Sequence, residues 1–429
     1  MKRFLSSAAG FILLMAVSGL FTSCEDRTYE ERTYMANVPV VMGFDEFRSA
    51  VEKRAPQSLV HPGKIYFKDN FIFVNEFEQG IHVIDNSNPA SPVILNFINI
   101  PGNVDMSIKG NILYADSYID LVAIDITDPL NPVEVDRIEN AFPNVLPILE
   151  DFSYPVYGLD FNKGVVVGWE TREVTEVIEK ENSSGFGRVV YDNLGVPTVG
   201  GSEVRFNQST VGIGGSMAGF TISDNYLYAI HNNSLKMFNI SATPGITTGE
   251  ELFMNAMVET LFPYENKLFM GTQTGMLIYD ISNPASPSYI STFEHIKSCD
   301  PVVIEGNYAY VTLRTGTVCN GENTLQVVDV SSPANPYLIK SYPMFNPHGL
   351  GIDNHTLFVC DGEAGLKVYD ATDPQAILEN QLAHFGNIKT YDVIPSDGLL
   401  MLIGDDGLYQ YDYSNLDSLQ LISSIPIGN

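Results

Sequence analysis

Five polar residues recur at comparable points along the chain: Asp105 in GNVDMSI, Glu259 in MVETLF, Asp300 in SCDPVV, His348 in NPHGLG and Asp392 in KTYDVI. Each opens a short apolar run rich in β-branched residues. Asp105, His348 and Asp392 share one offset from the turn that follows, and Glu259 and Asp300 sit one residue further from theirs. Carboxylates and an imidazole converging from different segments could hold a divalent cation through oxygen and nitrogen ligands, or bind a polar or cationic ligand. They could equally line a wet channel. The architecture that positions them decides.

More specific catalytic patterns are missing from the sequence. It has no HExxH, no paired CxxC and no EF-hand loop. GGSMAG at 214–219 has the outline of a nucleophile elbow but carries Ala218 where glycine is needed, and it lacks the strand-to-helix context. Carboxylate pairs for glycoside hydrolysis can be picked anywhere among 52 acidic residues, so no chosen pair has weight. Trp169, in VVGWETRE, is read as a packing residue rather than a sugar platform.

Charge narrows the partners. The 429 residues carry 52 acidic against 23 basic side chains, a formal net charge of −29. Nucleic acid and anionic lipid both require clustered Lys and Arg, so neither is a partner for this surface. At 45 % hydrophobic residues the chain has ample material for a core.

Residues 1–23 read as a signal peptide: Lys2 and Arg3, an apolar stretch through Leu20, then small residues before Cys24. Cys24 directly after FTS is the expected lipidation site of a bacterial lipoprotein, so attachment to the membrane is expected through lipid only. An exported chain can keep disulfides. Cys299 precedes the first strand of its unit and Cys319 follows the second, which makes them the disulfide candidate. Cys360, in LFVCDG, reads as a small buried side chain.

The elements come from a repeat. IHVIDNSNPASP at 81 returns as LVAIDITDPLNP at 121, MLIYDISNPASP at 276 and LQVVDVSSPANP at 325. Weaker copies are LKVYDATDP at 366, LYQYDYSNLDSL at 408 and LKMFNISATPG at 235. The marker residues are Asp85, Asp125, Asn239, Asp280, Asp329, Asp370 and Asp412, spaced 40 to 49 residues apart except for 114 between Asp125 and Asn239. A period near 41 signals a stacked or radial repeat. Alternation, β-branched residues and turn pairs divide each period into four short strands, as in MSI, NILYA, LVAID and VEVDRI within 106–138.

Four antiparallel strands per unit around a closed ring describe an all-β fold, a β-propeller of four-stranded blades. The repeated corner follows from its chemistry. Asp and the Ser or Thr after it bond nearby backbone N–H groups, while the prolines fix φ and remove donors, so the third strand stops and the chain reverses. The long gap sets the blade number. VYGLDFNKGVVVGWE at 156–170 reads as the start of a divergent unit, which favours eight blades, with seven the alternative. The remainder is an insertion at about 178–216, rich in Gly and Ser. Residues 24–59 form a lipid-anchored tether and an N-terminal closing segment, in which VPVVMGF is expected to add a strand on the last blade and DEFRSAV to form one or two helical turns.

LVAIDITDP, LQVVDVSSP and LKVYDATDP resemble the repeats of the LVIVD-repeat family of bacterial and archaeal cell-surface proteins, over roughly residues 60–428. The resemblance implies a propeller-like surface protein and no particular activity. The expected function is therefore a non-enzymatic cell-envelope lipoprotein of the outer membrane, facing the periplasm or the cell surface. Residues 60–429 would be a platform for a protein or glycan partner. The alternative is an exported hydrolase or lyase, metal-assisted in one version, acting in the central channel.

Overall fold

The computed structural model describes residues 29–149, 151–179, 213–295, 301–315, 321–416 and 418–428. Cys24, Cys299, Cys319 and Asp300 lie outside them, so the lipidation site, the disulfide candidate and one of the five polar strand starts are not described. The chain divides into two compact units. The smaller comprises residues 1–39, 150–159 and 170–192, and the larger comprises the rest.

Seven antiparallel sheets dominate the larger unit, each built on four strands in sequence order; the sheet of blade 1 gains Ile213–Gly214 on its inner edge and Glu52–Arg54 on its outer edge. They span 62–99, 106–138, 220–253, 258–294, 302–343, 350–385 and 390–426 and are blades 1 to 7 here. The first strands touch in cyclic order, blade 7 returning to blade 1, so these strands line a closed ring. Middle strands are buried along nearly their whole length, as in Leu399–Gly404 and Thr356–Cys360. Their side chains pack between neighbouring blades: Ile65, Val74 and Ile84 of blade 1 meet Ile394, Met401 and Leu408 of blade 7. Each fully buried aliphatic side chain of this kind contributes roughly 1.5–3 kcal/mol. The fourth strand of every blade carries a register shift against the third, which twists the outer edge and discourages edge-to-edge pairing.

The count of eight blades is corrected to seven. Residues 156–170 do not begin a blade. Val165–Glu179 is one long strand that pairs with Tyr29–Met42 in a separate two-stranded sheet. Apolar alternation after a turn-like Asn-Lys-Gly suited a blade start equally well, and the sequence could not reveal that its partner lay more than a hundred residues upstream. The whole stretch 139–219 separates blade 2 from blade 3, so the excursion is wider than the expected 178–216. Val38 to Met42 of VPVVMGF likewise lie in the Tyr29–Met42 strand rather than on the last blade, and Gly43 and Phe44 open the helix that follows. DEFRSAV does form a helix, Phe44–Ser49, with Asp45 and Glu46 in its first turn, where they suit the helix dipole.

The smaller unit is organised around Asn37, which is 2 % exposed. Its Nδ2 donates to the carbonyls of Asp151 (2.7 Å) and Tyr154 (3.1 Å), and Oδ1 accepts from Thr171 Oγ1 at 2.9 Å. Ala36, Val38 and Val174 pack beside it with Tyr34 and Tyr157.

The corner chemistry holds in all seven copies. Oδ1 of Asp85, Asp125, Asn239, Asp280, Asp329, Asp370 and Asp412 accepts from the amide two residues on, at 2.8–2.9 Å. Hydroxyl and amide donors of that Ser or Thr hold the six carboxyls below their ordinary value. A lowered folded pKa gives stability that is present above the unfolded value of about 3.9 and lost as pH falls through the folded value. Asp329→Asn combined with Asp370→Asn should keep the turn, as Asn239 does. Melting curves from about pH 5 down to about pH 2 should then fall less steeply than wild type. An unchanged slope would mean that other groups drive acid unfolding.

Candidate binding site at the channel end of the ring

The start of the first strand and the corner between the second and third lie at one end of each blade. In blade 7 Thr390 pairs with Gly404, which pairs with Gly407, while Ser396, Leu399 and Asp412 meet at the other end. The described polar strand starts, Asp105, Glu259, His348 and Asp392, therefore share the channel end, opposite the Asp-Pro corners.

Two of them hold a chain segment across the channel. Ile213 and Gly214 pair with Phe67 and Tyr66 on the inner edge of blade 1, and Gly215 N donates to Ile65 O at 3.1 Å. Ser216 donates from both N and Oγ to Asp392 Oδ1 of blade 7, each at 2.9 Å, and its Oγ accepts from Leu350 N of blade 6 at 2.7 Å. Ala218 O accepts from Leu261 N of blade 4 at 3.3 Å, and Gly219 O from Ile230 N of blade 3 at 3.0 Å. Gly219 N and Phe220 N donate to Asp105 Oδ2 of blade 2, the latter at 3.1 Å. GGSMAG is thus a strap that bonds to six of the seven blades. Its small residues are required by the approach: a Cβ on Gly215 would lie 2.0 Å from Asp392 Oδ2.

Asp105 also accepts from the ammonium of Lys64 and from Met106 N. Lys64 and Asp105 are 6 % and 4 % exposed, a buried ion pair whose carboxylate is further fixed by amides. Burial pushes the Asp105 carboxyl up against the opposing pull of Lys64. Burial likewise pushes Asp392 up to about 6 against its donors Ser216, Val393 and Met217.

Behind Asp105 stands Asp116, pushed up to about 7 by burial, whose Oδ1 accepts from Val104 N and Asp105 N, both at 2.9 Å. Glu76 does the same for Val60 N and His61 N, and Asp361 for Phe345 N and Asn346 N. These acids near the ends of second strands steer the chain into the first strand. The sequence reading missed them, although VNE, ADS and VCD ending three second strands were the available signal.

Glu259 and His348 lie on blade 4 and just before the first strand of blade 6. Gln273 Nε2 donates to Glu259 Oε1 at 3.1 Å. His348 Nε2 meets Asn346 Nδ2 at 3.1 Å, and its ring tilts against Tyr391 at 5.6 Å between centroids. Burial, then the charge of Arg314, lowers the imidazole to about 3, so it is neutral. Among the described residues no three His, Cys, Asp or Glu side chains come together as a metal-ligand set. Trp169 donates its indole N–H to Pro147 O at 2.9 Å, and Cys360 is fully buried.

A cleft of about 490 Å³ opens at this end where blade 1 meets blade 7. Blade 1 contributes Val60 to Lys64 and Phe77. Blade 7 contributes Tyr391, Asp392, Gly404, Asp405 and Ile427, and Met217 of the strap completes the wall. Among the described residues blades 1 and 7 exchange no strand, and an isolated bridge pairs Leu59 with Ile427. The seam is held by a reciprocal amide pair, Asn86 and Gln410 (2.8 Å both ways), and by Gly428 N donating to Leu59 O at 2.7 Å.

Residues 63–98, 102–139, 264–294 and 297–343 match the LVIVD repeat family. The chain carries LVIVD repeats. The matched spans correspond to blades 1, 2, 4 and 5, in which the double-proline corner is complete. The other three blades lie outside the matched spans and keep the strand plan with an altered corner: Asn239 in blade 3, Ile377 in the place of the second proline in blade 6, and Leu416 in the place of the first in blade 7. No curated protein matches the chain in sequence. Among solved structures, the periplasmic gluconolactonase PpgL of Pseudomonas aeruginosa is similar over 85 % of this chain and 97 % of its own, at 10 % identity and a TM-score of 0.54. A protein from Lactobacillus plantarum is similar over 85 % and 96 %, at 10 % identity and 0.54. The computationally designed Ika8 protein covers 87 % and 90 %, at 11 % identity and 0.50. The likeness of the LVIVD propeller to these proteins is one of fold alone.

Proposed function

We propose that this LVIVD propeller is a non-enzymatic envelope lipoprotein, a platform that binds a protein or glycan partner at the channel end of the ring. The observation that carries this reading is the strap. Asp105 and Asp392, the carboxylates best placed for chemistry in the channel, are occupied by its backbone amides, and the open concavity is the seam cleft beside it. The address rests on Lys2, Arg3, the apolar run and Cys24: acylation of Cys24 would hold the propeller at the outer membrane.

The test compares retention of envelope material by the wild-type protein, by Phe77→Ala at the cleft and by Tyr289→Ala at the corner end. Loss with Phe77→Ala alone is expected. Loss with Tyr289→Ala alone would refute the placement.

The second reading, an exported hydrolase or lyase, draws on two observations. Asp392 borders the cleft with a carboxyl near 6, a range suited to a general acid. The similarly folded gluconolactonase is a periplasmic enzyme by its name. Lactone hydrolysis that is abolished by Asp392→Asn, with or without EDTA sensitivity, would replace the platform by this enzyme.

A further inference from the structure

We propose that the seam cleft takes the cationic end of a lysine or arginine side chain presented by a protein partner. The inference rests on the platform reading and specifies the chemistry of its partner.

The lining supports both halves of such a side chain. Phe77, Tyr391, Met217 and Ile427 give an apolar wall for an aliphatic stem, and two of the four are aromatic, a side-chain type that attracts cations. At about 490 Å³ the cleft has room for one long side chain and the backbone flanking it.

The charges select the head group. The one lysine in the lining, Lys64, has its ammonium bonded to Asp105 and faces inward at 7 % side-chain exposure. Asp405 stands at the mouth with its side chain 43 % exposed, and its ion partner Lys389 lies outside the lining at 3.6 Å, shared with Glu363 at 3.3 Å. Asp392 forms part of the wall. His61 also lines the cleft and is exposed to solvent. Around this sits a protein of formal charge −29, whose field draws basic partners and repels acidic ones.

The geometry adds a consequence that can be measured. An occupant would touch blade 1, blade 7 and the strap together, so it would bridge the one seam at which the ring closes. Binding must then raise the thermal midpoint of the propeller.

The experiment uses the full chain in detergent, with melting and calorimetry against four probes: capped Gly-Lys-Gly, capped Gly-Gln-Gly, spermidine and methyl β-glucoside. The lysine peptide is expected to raise the midpoint and the glutamine peptide to leave it unchanged. Asp405→Asn, at an exposed position that leaves the fold intact, should weaken the lysine peptide by roughly fivefold. Added salt should weaken it as well. Equal binding of the two peptides, or no effect of Asp405→Asn, overturns the proposal. Spermidine binding without peptide binding overturns the protein source. Glucoside binding that Phe77→Ala abolishes, with no response to lysine, overturns the cation inference and leaves the platform standing. Silence from all four probes, together with Phe77→Ala that still retains envelope material, removes both.

Discussion

Asp105→Ala is expected to destabilise the propeller by about 3–5 kcal/mol, the range for removing one partner of a buried ion pair. The substitution would leave the Lys64 ammonium buried without its counter-charge, and would strip the acceptor from Gly219 N, Phe220 N and Met106 N. The size of the effect comes from what is left behind. Lys64→Met with Asp105→Leu removes both charges and should recover most of the stability lost from the ion pair, leaving the deficit of the strap amides. Urea melts of the two variants separate these contributions. A loss below about 1 kcal/mol in Asp105→Ala would place it among ordinary exposed pairs and contradict the buried geometry.

Asp392→Ala should cost about 2–4 kcal/mol, because Ser216 N, Ser216 Oγ and Val393 N lose a shared acceptor. The cleft admits water to one side, which keeps the figure below that for Asp105. Limited proteolysis gives a second readout, with new cleavage within 213–219 expected in the variant. The isosteric Asp392→Asn tests the titration. A folded pKa raised to about 6 from the unfolded value of about 3.9 favours the fold fully below the lower value, and the benefit is lost as pH rises through the higher. The stability gap between wild type and Asp392→Asn should therefore narrow from about pH 4 to about pH 7. A gap constant across that window would mean that Asp392 is ionised throughout.

The sequence carried the blade plan because its determinants are local. Each corner is an Asx turn built within a few residues and, in all but blade 7, followed by proline, so Asp329 or Asp370 announces itself without knowledge of its neighbours. The same locality explains the miscount: the strand at 165–179 has blade-like alternation, and only its distant partner at 29–42 reveals a different sheet. The channel end was half legible. Asp105 and Asp392 stood out as polar residues at equivalent strand starts, yet their ligand is the backbone of 216–220, and a run of amides leaves no mark in composition. GGSMAG fails as a catalytic turn because of Ala218 and its missing helix, and nothing in the motif itself points to a structural role. Gly215 and Gly219 are there for clearance, and Ser216 is there for its hydrogen bonds to blades 6 and 7.

The strap has a consequence for the order in which the molecule is built. Every blade is a contiguous meander that can form from contacts within about forty residues, and such local pairing is fast. Ser216, however, finds its acceptor 176 residues later in Asp392, and Asn86 meets Gln410 across 324 residues. During synthesis or export from the N-terminus, the amides of Ser216 and Met217 must wait unpaired until blade 7 has emerged, although Gly215 and Gly219 can already bond to blades 1 and 2. The middle of the strap seats last, and a chain cut short before residue 392 would leave Ser216 N and Met217 N without their acceptor.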